Sequence, residues 1–176
     1  MPDTGTSAEE AQVDDEFGEE IPDNEFDRLF GIVADGVVGA AGGIVGTAMM
    51  TVILLFGESL GAFNRSSFAQ VTQLVGLEAY VPSVTFGFLV FLLGGMVPWP
   101  LLFAALRRYL PGERMPVSGI FFGTALWTGF ALAFWDGFVG LTLVLYLLVT
   151  LVAHWVYGAC LGLVFEYLSE RPDTLV

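Results

Sequence analysis

The stretch that decides the fold is residues 141–165, LTLVLYLLVTLVAHWVYGACLGLVF. A transmembrane helix needs about 20 predominantly apolar residues, and this stretch provides them with one side chain, His154, that can carry a charge near neutral pH. Three further apolar stretches cover about 33–56, 84–106 and 117–135. The pattern predicts an all-α membrane protein whose residues 31–168 form a four-transmembrane-helix bundle.

Negative charge is concentrated before the first apolar stretch. Eleven of the 19 acidic residues, and none of the six basic residues, lie within residues 1–27. A like-charged segment with few apolar residues cannot bury enough surface to offset the entropy of ordering, so residues 1–30 are predicted to form a disordered acidic tail. The charge of this tail argues against nucleic acid as a partner. Residues 169–176 are predicted to be a short C-terminal tail.

The composition also indicates a habitat. All six basic residues are arginines, and the formal net charge is −13. Acidic proteins stay soluble in concentrated salt, where the Debye length falls to about 3 Å at 1 M. We favour a halophilic, haloarchaeal source over the alternative of a mesophilic protein with an acidic tail. The single cysteine, Cys160, excludes an intrachain disulfide and a cysteine metal cluster.

The arginines predict an orientation. Four spans place both termini, and the connection between the second and third spans, on one side of the membrane. That side collects five arginines and the opposite side only one, Arg65; the five are Arg28, Arg107, Arg108, Arg114 and Arg171. By the positive-inside rule, both termini of this multi-pass protein of the cell membrane are predicted to be cytoplasmic.

The connection between the first two spans contains a helical signal. Ser67 and Gln70 have the spacing of a capping box, and apolar residues recur at helical spacing up to about residue 78. We predict a short interfacial helix on the outer surface of the membrane, which either caps the bundle, as we favour, or docks a partner. Residues 136–140 predict a tight hairpin that makes the third and fourth spans antiparallel neighbours.

Small residues at i, i+4 spacing predict close helix packing. In lipid, they allow backbones to approach and gain dispersion contacts. The candidate packing glycines are Gly39, Gly42, Gly43, Gly46, Gly119, Gly123, Gly158 and Gly162. Internal packing of one bundle explains most of them, and dimerisation through a spare glycine face is the alternative.

One polar layer is predicted within the membrane. At about 1.5 Å per residue, His154, Thr124 and the break at Pro98, Trp99 and Pro100 fall at a similar depth. The prolines lack an N–H group, which frees carbonyl oxygens that need another donor in lipid. We favour a structural role in which His154 or Thr124 donates to the break.

Two functional hypotheses compete with that structural role. Broken helices and intramembrane ionisable groups often mark binding sites, so the layer can be a site for a ligand. Alternatively, His154 can ligate haem, with Met49, Met50 or Met96 as weak candidates for a second ligand. No Asp or Glu lies in mid-span, and one histidine does not make a zinc site. We therefore predict no enzyme activity, no metal site and no cofactor.

Four segments resemble a known family: residues 36–50 (GVVGAAGGIVGTAMM), 87–103 (GFLVFLLGGMVPWPLLF), 119–127 (GIFFGTALW) and 153–162 (AHWVYGACLG). They are similar to the small four-span membrane proteins of haloarchaea that form a family of unknown function. The most specific piece is His154-Trp155-x-Tyr157-Gly158. The resemblance covers about residues 31–165 and implies the fold and the habitat. It implies no activity and no functional residues.

Two functions remain as expectations. By elimination, we expect a non-catalytic accessory or assembly subunit of a larger membrane complex, with a respiratory oxidase as the first type to check. Its partners would be the lipid bilayer and another membrane protein, or a second copy of the chain. The alternative is a small oligomeric transporter or channel whose path is lined by His154, Thr124 and the break at Pro98–Pro100.

Overall fold

The computed structural model describes the backbone of residues 23–169 and the side chains of residues 36–168, and this part of the chain contains helices and no strand. The helices are α1 (Asp23–Ser59), α2 (Ala69–Leu74), α3 (Ser83–Met96), α4 (Pro98–Leu106), α5 (Met115–Ala133) and α6 (Gly140–Ser169). Two 3₁₀ turns, Arg65–Phe68 and Arg107–Tyr109, precede α2 and follow α4. The predicted all-α fold is confirmed.

The start of α1 differs from the prediction. Residues 23–30, which we assigned to a disordered tail, are helical. Acidic side chains in the first turn of a helix interact favourably with the helix dipole, which accounts for a helix that begins inside an acidic segment. The rest of the predicted N-terminal tail, residues 1–22, and residues 170–176 of the C-terminal tail lie outside the described residues.

Within the described part of the chain, four helical segments are long and apolar enough to cross a membrane: Gly36–Ser59, Ser83–Tyr109, Met115–Ala133 and Gly140–Leu168. Each lies within a few residues of a predicted span, so the chain has the architecture of a multi-pass membrane protein. We call the end of the bundle that holds residues 60–82 and 134–139 the hairpin end. The opposite end, which holds the connection with Arg107, Arg108 and Arg114, is the arginine end.

The second span is broken between α3 and α4. Val97 joins the two helices with φ −124° and ψ −73°, and Pro98 occupies the first position of α4. A proline is tolerated there because its missing N–H would have no partner in the first turn anyway. The span therefore continues across the membrane as two helices with irregular backbone between them.

Glycines bring α5 and α6 into backbone contact. A methyl group added at Gly119 would overlap the carbonyl oxygen of Gly158, and one added at Gly158 would overlap the carbonyl oxygen of Gly119. Gly123 lies in the same way against the carbonyl oxygen of His154, and Gly162 against that of Met115. This seam joins α5 and α6 as antiparallel neighbours, and side chains would force them apart.

The glycines of α1 lie against the other spans. A methyl group added at Gly39 would meet Pro100 and Phe165, and one added at Gly42 would meet Leu161. A methyl group added at Gly43 would meet Gly95 and Pro100, and one added at Gly46 would meet Tyr157. All eight glycines singled out in the sequence therefore lie at contacts within one bundle. The internal packing role accounts for each of them.

The predicted interfacial helix exists but begins differently. The helical segment consists of the turn Arg65–Phe68 followed by the short α2. The side chain of Asn64, rather than that of Ser67, caps it by accepting a hydrogen bond from the backbone N–H of Ser66 at 3.0 Å. The predicted capping box is therefore wrong: the Ser67 hydroxyl is buried and makes no hydrogen bond. The Asx-type turn at Asn64 starts the segment three residues earlier.

This segment, residues 64–74, packs onto the bundle. Phe68 is buried, and its carbonyl oxygen touches α3 so closely at Gly87 that no side chain fits there. The Phe68 ring contacts the rings of Phe88, Phe91 and Phe134 at centroid distances of 5.2, 5.1 and 5.4 Å. The segment thus closes the hairpin end of the core, as the capping hypothesis requires.

Candidate functional site: an intramembrane cavity

A cavity of about 580 Å³ lies between the broken second span and α5. One wall is formed by α3 and α4 with Phe91, Gly94 and Trp99, and the other by α5 with Ala125 and Gly129. Between the walls lie Met50 of α1 and two residues of α6, His154 and Tyr157. Val71 of α2 contributes to the lining at the hairpin end. The volume falls in the range of about 300–1,000 Å³ that is typical of ligand pockets.

The cavity opens sideways. Trp99 on one wall and Ala125 and Gly129 on the other are exposed, and all three belong to the membrane-crossing segments. Small side chains on α5 keep this opening wide: a methyl group added at Gly129 would have no atom within 4 Å. An exposed cavity mouth at this depth faces lipid chains rather than water.

Like Tyr157, His154 is a deeply buried side chain of the lining that carries a polar group. It is 4% exposed, and its Nδ1 lies 2.8 Å from the carbonyl oxygen of Thr150, one turn earlier in α6. A carbonyl oxygen can only accept, so Nδ1 carries the proton of this hydrogen bond. The ring also meets Phe130 edge to face, with a centroid distance of 4.7 Å.

The neighbouring turn of α6 is held by α5. The indole N–H of Trp127 donates to the Thr150 hydroxyl at 3.0 Å, and that hydroxyl donates to the carbonyl oxygen of Tyr146 at 2.7 Å. Thr150 is fully buried. Since the Thr150 carbonyl is the partner of His154, these bonds fix the position of the imidazole in the cavity.

At the break in the second span, the Gly95 carbonyl has a hydrogen-bond donor that was not predicted, Tyr157. The hydroxyl of Tyr157 donates to the carbonyl oxygen of Gly95 at 2.8 Å. We expected His154 or Thr124 to supply this bond, and neither does, because both are hydrogen-bonded within their own helices, to Thr150 and to the carbonyl oxygen of Ile120. Tyr157 follows His154 by three residues, so both reach the same side of α6.

The predicted polar layer divides into two parts. His154, Pro98 and Trp99 come together around the cavity. Thr124 lies elsewhere, where it accepts a hydrogen bond from the indole N–H of the half-exposed Trp155 at 2.9 Å. Pro100 is buried against the glycines of α1. Linear depth counting places these residues at one level, but it does not tell which side of each helix they occupy.

Sequence reasoning also missed the aromatic part of the site. Phe91, Phe130 and Phe134 line the cavity and pack on one another, with Phe130 and Phe134 stacked at 4.2 Å between centroids. The i, i+4 spacing of Phe130 and Phe134, at the end of α5, was the available signal. Tyr157 was a second available signal, because the hydroxyl of a tyrosine buried in a membrane-spanning bundle needs a hydrogen-bond partner.

At the arginine end, side chains of the connection meet the end of α6. The exposed Arg114 lies 3.6 Å from the half-buried Glu166 in an ion pair, and the guanidinium of Arg107 lies 5.5 Å from the centre of the Phe165 ring. Among residues 36–168, no three His, Cys, Asp or Glu side chains are grouped as a metal site would need.

Comparison with known proteins gives one match. A model of a family of unknown function, DUF6789, matches residues 33–176. No curated protein and no solved structure matches the chain. The matched region contains all four spans and the whole cavity, which confirms the predicted membership of a family without an assigned activity. The chain belongs to the family of unknown function DUF6789.

Proposed function

We propose that the protein is a non-catalytic accessory or assembly subunit of a larger membrane complex, with a respiratory oxidase as the first type to test. The observation that carries this proposal is the position of the charged side chains. Glu58, Arg107, Arg108 and Glu166 lie at the ends of their spans. Among the side chains of residues 36–168, His154 is the one in mid-span that can be charged near neutral pH. Ion-coupled carriers usually depend on buried carboxylates or relays of them.

The outward surface of the bundle supports a role in assembly. In its most apolar window, the second span is 17% buried within the chain, less than any other span. Leu89 and Leu93 of α3 are exposed on it. Polytopic subunits cover such a face with lipid or with the spans of a partner, and an interrupted, weakly packed span gains most from a partner that covers it.

We further propose that the protein resides in the cell membrane of a haloarchaeon with both termini in the cytoplasm. The arginine-only basic set supports the habitat, and the arginine end supports the orientation. Single cysteines introduced by Glu113→Cys and Glu78→Cys in a Cys160→Ala background test the orientation with an impermeant maleimide. Glu78→Cys should react in intact cells and Glu113→Cys only after lysis. The reverse pattern overturns the orientation.

A pull-down tests the accessory role. The tagged protein is purified from native membranes in mild detergent and high salt, and stoichiometric partners are identified by mass spectrometry. Leu93→Trp on the exposed face of α3 should release the partner, whereas Leu163→Trp on the exposed face of α6 serves as the matched control. Recovery of the chain alone, under conditions that preserve other complexes of the same membrane, rejects the proposal.

The cavity favours a second candidate, a small oligomeric transporter or channel. It places His154 beside the broken span, as in transporters whose sites lie at discontinuous helices. His154→Leu separates the two functions. A transport path should lose flux in proteoliposomes, whereas a packing role should lose about 1–3 kcal/mol of stability and leave permeability unchanged.

A further inference from the structure

The imidazole of His154 offers a hydrogen-bond acceptor to the cavity. Because Nδ1 donates to the Thr150 carbonyl at 2.8 Å, the neutral ring has its lone pair at Nε2. His154 is 96% shielded from solvent, and it lines the cavity. An acceptor in such a place is complementary to a ligand that brings an O–H or N–H donor.

The rest of the lining restricts the charge of a ligand. No Lys, Arg, Asp or Glu is among the residues that line the cavity, all of which belong to the described part of the chain. A charged ligand would lose its hydration without gaining a counter-ion, which is costly in a low-dielectric site. Haem would bring two carboxylates into this lining, so the cavity selects against haem and in favour of an uncharged molecule.

The walls of the cavity restrict the shape of a ligand, and the mouth restricts the route by which it enters. Phe91, Phe130, Phe134 and Trp99 surround the space with aromatic rings, which pack well on another ring in offset or edge-to-face arrangements. The mouth lies between Trp99 and Gly129, at the depth of lipid chains. A molecule that enters there must already be dissolved in the bilayer.

We propose that this cavity binds an uncharged, lipid-soluble aromatic alcohol, whose ring packs among Phe91, Phe130 and Trp99 and whose hydroxyl donates to Nε2 of His154. The class includes phenols and quinols that carry apolar tails. The proposal is independent of the accessory role, since a subunit can assemble with or without such a ligand.

The chain contains a single histidine, which makes a direct test feasible. Selective ¹⁵N-histidine labelling of the full protein, purified through a tag without histidine and reconstituted in nanodiscs, gives one pair of imidazole nitrogen signals. Titration with 1-naphthol should shift the Nε2 signal saturably and leave the Nδ1 signal in place. Titration with 1-methoxynaphthalene, which has a similar ring system but no donor, should not produce this shift.

A variant that fills the cavity provides the control. Gly129→Leu places a side chain in space where a Cβ atom meets nothing within 4 Å, so the fold should be retained. Its Nε2 signal should no longer respond to 1-naphthol, whereas Phe121→Leu, on α5 outside the cavity, should respond like the unmodified protein. Four results would each overturn the proposal. They are an Nε2 atom that is already protonated without ligand, equal shifts with both compounds, no shift at saturation, and an unaltered response in Gly129→Leu.

Discussion

The hydroxyl of Tyr157 donates to the carbonyl oxygen of Gly95 at 2.8 Å, which links α6 to the broken second span across 62 residues of sequence. Tyr157 is 2% exposed, and its ring also packs on Gly46 of α1. In lipid, irregular backbone is tolerated where protein groups satisfy its carbonyls. This one side chain therefore connects three of the four spans at the point where the second is interrupted.

Removing that hydroxyl should destabilise the bundle. Tyr157→Phe retains the ring contacts but leaves the Gly95 carbonyl without its tyrosine donor, and we expect a loss of about 1–3 kcal/mol in the free energy of unfolding. Unfolding by sodium dodecyl sulfate in mixed micelles measures it. Tyr80→Phe, at a side chain that is 82% exposed, is the control and should be neutral. Equal stability of the two variants would show that water or lipid replaces the bond.

A single methyl group should test the seam between α5 and α6. In Gly119→Ala, the new Cβ atom overlaps the Gly158 carbonyl, and the helices must separate, at a cost of about 1–3 kcal/mol. Gly129→Ala, ten residues along the same helix, meets nothing within 4 Å and should gain up to about 1 kcal/mol from helix propensity. The same unfolding assay compares them. A neutral Gly119→Ala would contradict the close backbone contact.

Docking of residues 64–74 should depend on Gly87. A side chain in Gly87→Ala would overlap the Phe68 carbonyl and displace the segment from α3. We expect faster proteolytic cleavage between residues 60 and 82, by about tenfold if docking loses about 1.4 kcal/mol, because cleavage follows the open population. Gly119→Ala, which disturbs a different contact, should not accelerate cleavage at these sites. Unchanged cleavage in Gly87→Ala would mean that the segment docks by other contacts.

Absorption spectroscopy addresses the haem hypothesis. Since the lining that surrounds His154 contains no basic side chain to pair with haem carboxylates, we expect the purified protein to show no Soret band. The measurement is made on protein from native membranes, with and without added haemin. A stoichiometric band that disappears in His154→Leu would contradict this expectation and would reassign the cavity as a haem site.

The extent of each span was predictable, but the pairing of individual side chains was not. Apolar length alone located the four spans, since no other structure buries so many consecutive apolar residues. The donor at the break was missed, because Tyr157, His154 and Thr124 occupy similar depths and only their directions around the helix distinguish them. The start at Asn64 was missed because Ser67 also had a capping spacing. The burial of the Ser67 hydroxyl is a tertiary effect.

By itself, the sequence determined the class of the protein, the number and limits of its spans, and the glycines at which its helices can approach. These follow from length, hydropathy and side-chain size, which are local properties. The tertiary structure decided that Tyr157 satisfies the broken span, that Thr124 and Pro100 leave the polar layer, and that His154 faces a cavity open to lipid. The rotation of each helix about its axis decides these contacts. Packing with the other helices sets that rotation, and no single segment encodes it.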